Sequence, residues 1–381
     1  MRLDTLDPTA PLDDLEPLRA AIGGARVVAI GETSHHVREY QLLRHRLLRF
    51  LVERMGFTAY AQESGFSEGL ALAAWVAGGP GDFPADGLTY RFGNAPETRA
   101  TFAWMRASGA VRYTGLDLPG DLASMLPALD RLDVFGKDLV DAVRELAARW
   151  AGPHTMPAFA AYLAMPQADR DAQTVLLAAL STHADALRPL HLRTVPAAQY
   201  ETTRHELRLA VLLDQQLRAQ ARSAAGSVTH LAVNARDAAM AETARMLLAR
   251  GERLVIGAAN SHLARVPLPV AGLEIPTLGT HLAADLGDDL LVIALTTATG
   301  RIMTRRRSAT APEGAEFPPV DLEPPADGSI ESLLATDAPV ITDVRALSAA
   351  RIRVLDTYQD LPVARAYDLV ACLPAVTPTT R

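Results

Sequence analysis

The chain of 381 residues has one cysteine, Cys372, one lysine, Lys137, and only 5% aromatic residues. A lone cysteine excludes an internal disulfide and any cysteine-built zinc cluster. No two histidines stand at H-x-x-x-H or H-x-H spacing, so the usual zinc signatures are missing too. With lysine all but absent, arginine carries the positive charge, which reads as a trace of codon usage rather than of function. No run approaches the roughly 18 apolar residues that a membrane span needs, and no charged leader with an apolar stretch opens the chain. A net charge of −7 without a basic stripe argues against a nucleic-acid partner. The expectation is a cytoplasmic protein that meets neither membrane nor nucleic acid.

What is present is a globular chain, 49% apolar, with ample material for a core. Apolar, β-rich runs recur at 26–31, 58–62, 111–117, 228–234, 253–259 and 290–297, with a last one at 368–373. Leucines at 42, 43, 47, 48 and 51 predict a helix from Arg38 to Met55, stopped by Gly56. Further helices are predicted over Ser67–Val76 and Ala238–Ala249. Strands alternating with helices predict an α/β fold with a mostly parallel central sheet and helices on both faces. Between 126 and 224 the sequence is Ala- and Leu-rich with no β-rich run, which predicts an all-helical insertion. The expected division is 1–125 and 225–381 for two parts of the α/β core, with 126–224 as the insertion.

Ionisable residues crowd the predicted strand ends. Glu32, His35, Glu39 and Arg44 follow the first, Glu63 closes the second and Asp117 the third. Arg236-Asp237 follow the fourth, and Asn260 and His262 the fifth. In open α/β sheets that edge is where ligands bind. Glu32-x-x-His35 is the leading pair: if the chain turns into a helix there, carboxylate and imidazole share a face. The acid would then fix the ring's tautomer and leave the other nitrogen to deprotonate water. Read blandly, Glu32 is a helix cap and His35 a satisfied core histidine. A di-iron reading of E-x-x-H requires a second copy, and none exists. Neighbouring parallel strands would bring Glu63 close to this pair. Gly65-Phe-Ser-Glu-Gly69 matches the nucleophile-elbow pattern around Ser67, but too few strands precede it and no oxyanion loop does. His281, in Leu278-Gly-Thr-His-Leu282, either points into the site or caps a helix. His36 and His45 are expected on other helix faces, and His230 inside a strand.

Together these residues resemble the erythromycin esterase family. Its opening G-E-x-x-H-x-x-x-E is met by Gly31, Glu32, His35 and Glu39, with Arg44 on the following helix. Gly56-Phe57, Ala59 and Glu63 match its second strand, Gly115 and Asp117 a G-x-D strand end, and Arg236, Asp237, Met240, Ala241 and Glu242 an R-D-x-x-M-A-E helix start. The likeness runs over about 25–125 and 225–300. It implies a mixed α/β core with a helical insertion, no cofactor and no obligatory metal. It also implies His35 as general base, Glu32 as its orienting partner, and Arg44 and Glu63 holding histidine and substrate. Two positions depart from the pattern. Ala259-Asn-Ser-His262 stands where the family has H-N-x-H, and Asn94 where it usually has tryptophan. An alanine can neither donate to an oxyanion nor carry a proton, and losing one such group typically costs about two to four orders of magnitude in rate.

The expected function is a hydrolase for an ester or lactone of a bulky, hydrophobic natural product, such as a macrolide. His35, Glu32, Glu63, Arg44 and His262 would run the chemistry; Glu39, Asp117, Arg236, Asp237, Asn260 and His281 would bind substrate. The oxyanion would fall to Arg44, His262 and Arg236. Two other readings keep the same pocket: a biosynthetic enzyme using His35 for elimination, dehydration or cyclisation, and a binding protein that has lost turnover. A hydrolase needs water beside His35, whereas the eliminating enzyme calls for a drier, more closed site.

Overall fold

A computed structural model describes residues 1–308 and 310–381. Its centre is an eight-stranded sheet: β1 (Val27–Ile30), β2 (Ala59–Gly65), β3 (Arg112–Asp117), β4 (Leu254–Gly257), β5 (Leu290–Met303), β6 (Pro319–Asp321), β7 (Val340–Asp343) and β8 (Leu369–Val376). The strand order is β7-β8-β5-β1-β4-β2-β3, with β6 pairing the far end of β5. All pairings are parallel except β7 with β8 and β6 with β5. The mostly parallel sheet is therefore as expected. The expected adjacency of the first two strands is not: β4 lies between β1 and β2.

β1 is buried along its whole length, as a strand covered on both faces must be. Val28 and Ile30 enter one core, packed against helix α1 (Arg38–Met55). Val27 and Ala29 face the opposite way and join a second core with residues of two later helices. That alternation is the period of two of a β-strand. The helical pattern of α1 buries Tyr40, Leu43, Leu47, Leu48, Phe50 and Leu51, each stabilising by roughly 1.5–3 kcal/mol relative to exposure. Its predicted stop holds, with Gly56 in the left-handed region at φ 72°. This packing fixes the axis of α1 and carries Arg44 back toward the end of β1.

Helix α2 (Phe66–Val76) follows β2, and α3 (Pro96–Ser108) precedes β3. Residues 126–224 are helical as their pattern indicated, chiefly α4 (Lys137–Ala148), α5 (Thr155–Ala164), α6 (Gln167–Ala186) and α7 (Ala197–Ala224). They share a third core that includes Phe135, Trp150, Tyr162 and Tyr200. Helices α8 (Ala235–Ala249) and α9 (Leu278–Leu286) flank β4 in sequence. Among the described residues, no helix is long and apolar enough to cross a membrane.

One predicted strand is absent. Residues 228–234 form a 3-10 turn over Val228–Ala232, with His230 inside it, and Val228, Leu231 and Val233 are exposed. Their composition favours a strand, but β-propensity expresses packing against neighbouring strands. β4 already has β1 and β2 on its two sides, so this segment runs over the surface.

Candidate active site

The loop from Gly31 to Val37 joins β1 to α1 and carries the first constellation. Its tight course depends on Gly31, where any side chain would run into Asn260. Glu32 is buried and divides its two oxygens: Oε1 lies 2.7 Å from His35 Nδ1, and Oε2 lies 2.9 Å from Arg44 Nη2. The pair meets across a turn and not on a helix, because α1 begins only at Arg38. A carboxylate facing Nδ1 makes that nitrogen the donor and leaves the lone pair on Nε2. The ring is wedged between Tyr90 and Phe92, with centroids 5.3 and 5.1 Å away. Its side chain keeps 28% of its exposure.

The charges are set by these contacts. Burial disfavours the carboxylate of Glu32, yet Arg44 and the His35 hydrogen bond outweigh it and hold the pKa below the usual range. Burial likewise opposes a charge on His35, but the hydrogen bond to Glu32 and the negative charge of Glu63 outweigh it and raise the pKa above 6.5. His35 Nε2 faces Glu63 Oε1 at 3.9 Å.

Arg236 is the second centre. Its guanidinium donates to Asp117 (3.0 and 2.5 Å), to Glu63 (2.8 Å) and to the Tyr90 hydroxyl (2.6 Å). His262 lies beside it, with Nδ1 donating to Asp237 at 2.8 Å and Nε2 3.3 Å from Glu63 Oε1. Burial disfavours the imidazolium, but Asp237 and Glu63 push the pKa of His262 up to about 10. Both acids thus favour the imidazolium of His262, whose Nε2 also lies 3.2 Å from Arg236 Nη1. Glu63 is held well below the usual carboxylate range: burial opposes this, and His262 and Arg236 prevail. Asp237 starts α8, where the Asn234 side chain caps its amide, and it also accepts from the Leu278 amide at 2.7 Å.

These groups border a cavity of about 720 Å³. Its walls include His35, Glu63, Tyr90, Arg236, Asp237, Ala259 and His262, with Leu122, Pro153, Met303, Phe317 and Leu355 as apolar surface. Ala259 offers only a methyl group, its amide being committed to Glu63 Oε2 at 2.7 Å. Among the described residues, seven non-glycine residues have positive φ, and six of them line this cavity: His36, Tyr90, Arg91, Asp121, Leu122 and Leu355. Such conformations cost of order 1–3 kcal/mol each and collect where function requires them. Among the described residues no group of three or more His, Cys, Asp or Glu side chains is placed to hold a metal ion.

Several expected site residues stand elsewhere. Glu39 accepts from the amide and the hydroxyl of Thr377, each at 2.7 Å, and so pins the C-terminal segment to α1 outside the cavity. Asn260 is buried and pairs through both amide atoms with the backbone of Leu295, tying the segment after β4 to β5. His281 sits within α9, away from the cavity walls. Arg44 and Asp117 do not line the cavity either; they act on it through Glu32 and Arg236. Ser67 is buried in the first turn of α2 and does not line the cavity. His36, expected on another helix face, instead lines the cavity from the loop, and burial pushes its pKa down to about 4. Tyr90, Glu68, Asp121 and His154 also line the cavity without having been expected there. The one available signal was Pro119-Gly-Asp121, turn residues just past the acid that closes β3.

Comparison with known proteins agrees with this architecture. The sequence profile described as erythromycin esterase matches residues 52–369. Erythromycin esterase type II of Escherichia coli is 27% identical over 344 residues, covering 86% of this chain and 82% of that protein. Erythromycin esterase type I of Escherichia coli is 26% identical over 286 residues, covering 71% and 70%. Among solved structures, a mutant of the erythromycin esterase EreC in its open conformation superposes with a TM-score of 0.87 at 22% identity, covering 98% of this chain and 97% of that one. A Bacillus cereus protein gives 0.78 at 19% identity, covering 99% and 95%. The last two likenesses concern the fold; the profile, matched over most of the chain, decides the family. The chain belongs to the erythromycin esterase family.

Proposed function

We propose that the protein hydrolyses an ester or lactone of a bulky natural product, a macrolide being the leading candidate, with His35 as the general base. The observation that carries this is the 2.7 Å contact between Glu32 and His35 Nδ1, which aims the opposite ring nitrogen at the cavity. Nε2 takes a proton from water as its oxygen attacks the carbonyl carbon. The imidazolium of His262 and the guanidinium of Arg236 both line the cavity and supply positive charge for the oxyanion. Arg44, bonded to Glu32, is a positioning residue and not an oxyanion donor. A cavity of about 720 Å³ suits a drug-sized ligand. Names of relatives support the substrate class: two are erythromycin esterases.

The accessible edge of His35 supports a wet site, and no observation favours elimination, cyclisation or mere binding over hydrolysis. Incubation with a panel of macrolide lactones in oxygen-18 water, followed by mass spectrometry, is expected to give a ring-opened acid carrying solvent oxygen in its carboxyl group. A product lighter by one water, or no opening of any lactone or simple aryl ester, would contradict the proposal.

A further inference from the structure

Hydrolysis needs a second proton transfer, because the departing alkoxide of an alkyl ester or lactone is a strong base. His262 is committed to Asp237 and Glu63, and the position of Ala259 carries no titratable group. Four carboxyl groups in the cavity wall, Glu68, Asp86, Asp121 and Glu313, have no place in the account so far. Asp121 follows β3 in a run of three consecutive left-handed residues, Gly120 (φ 63°), Asp121 (φ 52°) and Leu122 (φ 59°). Left-handed conformations at Asp121 and Leu122, which are not glycines, persist only where their surroundings enforce them. Two contacts do so here. The Gly120 amide donates to Glu68 Oε1 at 2.5 Å, and the carbonyl of Asp121 accepts from the Thr155 hydroxyl at 3.1 Å. Among the described residues, the other oxygen of Glu68 is buried without a partner.

We propose that Asp121 is the proton donor to the leaving alcohol, and that Glu68 is the positioning residue that holds its turn through the Gly120 amide. The assignment rests on the hydrolase reading. Asp121 makes no ion pair among the described residues, in contrast to Glu63, Asp237 and Glu313 in the same walls; of the other two unpaired wall acids, Glu68 is tied to the Gly120 amide and Asp86 is exposed. The groups that act on it are Tyr90, Arg236, Asp117 and Glu63, with Glu68 behind Gly120. Burial, reinforced by Asp117 and Glu63, pushes its pKa up to about 7, against the hydroxyl of Tyr90 and the charge of Arg236. A carboxylic acid with that value carries its proton near neutrality and can release it.

The step balances. Water gives one proton to His35 Nε2 and forms the new C–O bond. The tetrahedral intermediate then collapses, the bond to the leaving oxygen breaks, and the Asp121 carboxyl protonates that oxygen to give the alcohol. The new carboxylic acid returns a proton to the Asp121 carboxylate, and the imidazolium of His35 loses its own to solvent.

Leaving-group dependence tests this. An alkyl ester and the p-nitrophenyl ester of the same acid differ in their need for an acid, since the nitrophenolate departs without a proton. Asp121→Asn is expected to lower kcat/KM for the alkyl ester by about 10²–10⁴-fold and to leave the nitrophenyl ester within roughly 3-fold, which also reports a folded site. Glu68→Ala should show the same split at smaller size, and Glu68→Gln, which keeps an oxygen acceptor for Gly120, should restore it. In the unaltered protein, kcat/KM for the alkyl ester should fall above about pH 7, while the nitrophenyl ester should show no such fall. An equal loss on both esters, no loss on the alkyl ester, or a shared alkaline fall would overturn the assignment. Failure of the unaltered protein to cleave either ester would instead overturn the hydrolase reading on which it stands.

Discussion

His35→Asn lowers kcat/KM for ester hydrolysis by about 10²–10⁴-fold in our expectation, the usual contribution of one positioned acid or base. Asparagine retains an N–H that can reach Glu32, so the ion pair of Glu32 with Arg44 at 2.9 Å should survive and the loss should fall on the chemistry. The ring itself makes no other hydrogen bond among the described residues; it packs edge-on to Phe92 and tilted to Tyr90. Thermal melting of the variant should therefore lie close to that of the parent. A variant with more than roughly a tenth of the parent rate would remove His35 from the role of base.

The second large effect concerns Arg236. Its side chain is the common partner of Glu63 and Asp117, and both acids are buried. Arg236→Met keeps most of the side-chain volume but leaves the buried Asp117 without its cation and Glu63 with His262 alone. Breaking a buried pair by deleting one partner typically costs about 3–5 kcal/mol, whereas an exposed pair is worth about 1 kcal/mol or less. Chemical denaturation at pH 7 is expected to show the larger figure. The sign with pH follows from Glu63. Its folded pKa is depressed, so the stability it contributes is present above its unfolded value and is lost as pH falls through the folded one. In the variant the share of that contribution due to Arg236 is gone, while the share due to His262 stays. The stability gap between parent and variant should narrow as pH drops below about 4.3. An undiminished gap in acid, or none at pH 7, would show that the hub is not held by charge.

The parts of this site legible in the sequence were those written in local pattern. β1 reads as an apolar run, α1 as a leucine repeat ended by Gly56, and the Glu32–His35 contact follows from spacing even though a turn and not a helix brings it about. Sheet order was not legible: β4 enters between β1 and β2 from some 190 residues away, roughly the span from Gly65 to Leu254, and long-range pairing leaves no local trace. Glu63 still reaches His35, its Oε1 lying 3.9 Å from Nε2 although β4 separates their strands. Glu39 and Asn260 lie beside the motif and were expected to contact substrate, yet their hydrogen bonds go to Thr377 and Leu295. A polar residue near a site serves the backbone as readily as the ligand. Tyr90 and Asp121 went unseen for the opposite reason: their left-handed turns are imposed by neighbours distant in sequence.

Everything rests on the protonation of a single ring, and nitrogen-15 NMR of labelled histidine across the pH range reads it directly. The prediction is that Nδ1 of His35 stays protonated throughout while Nε2 alone titrates, with a pKa above 6.5. An imidazole that keeps its proton on Nε2 when neutral, or that titrates below 6.5, would contradict the account.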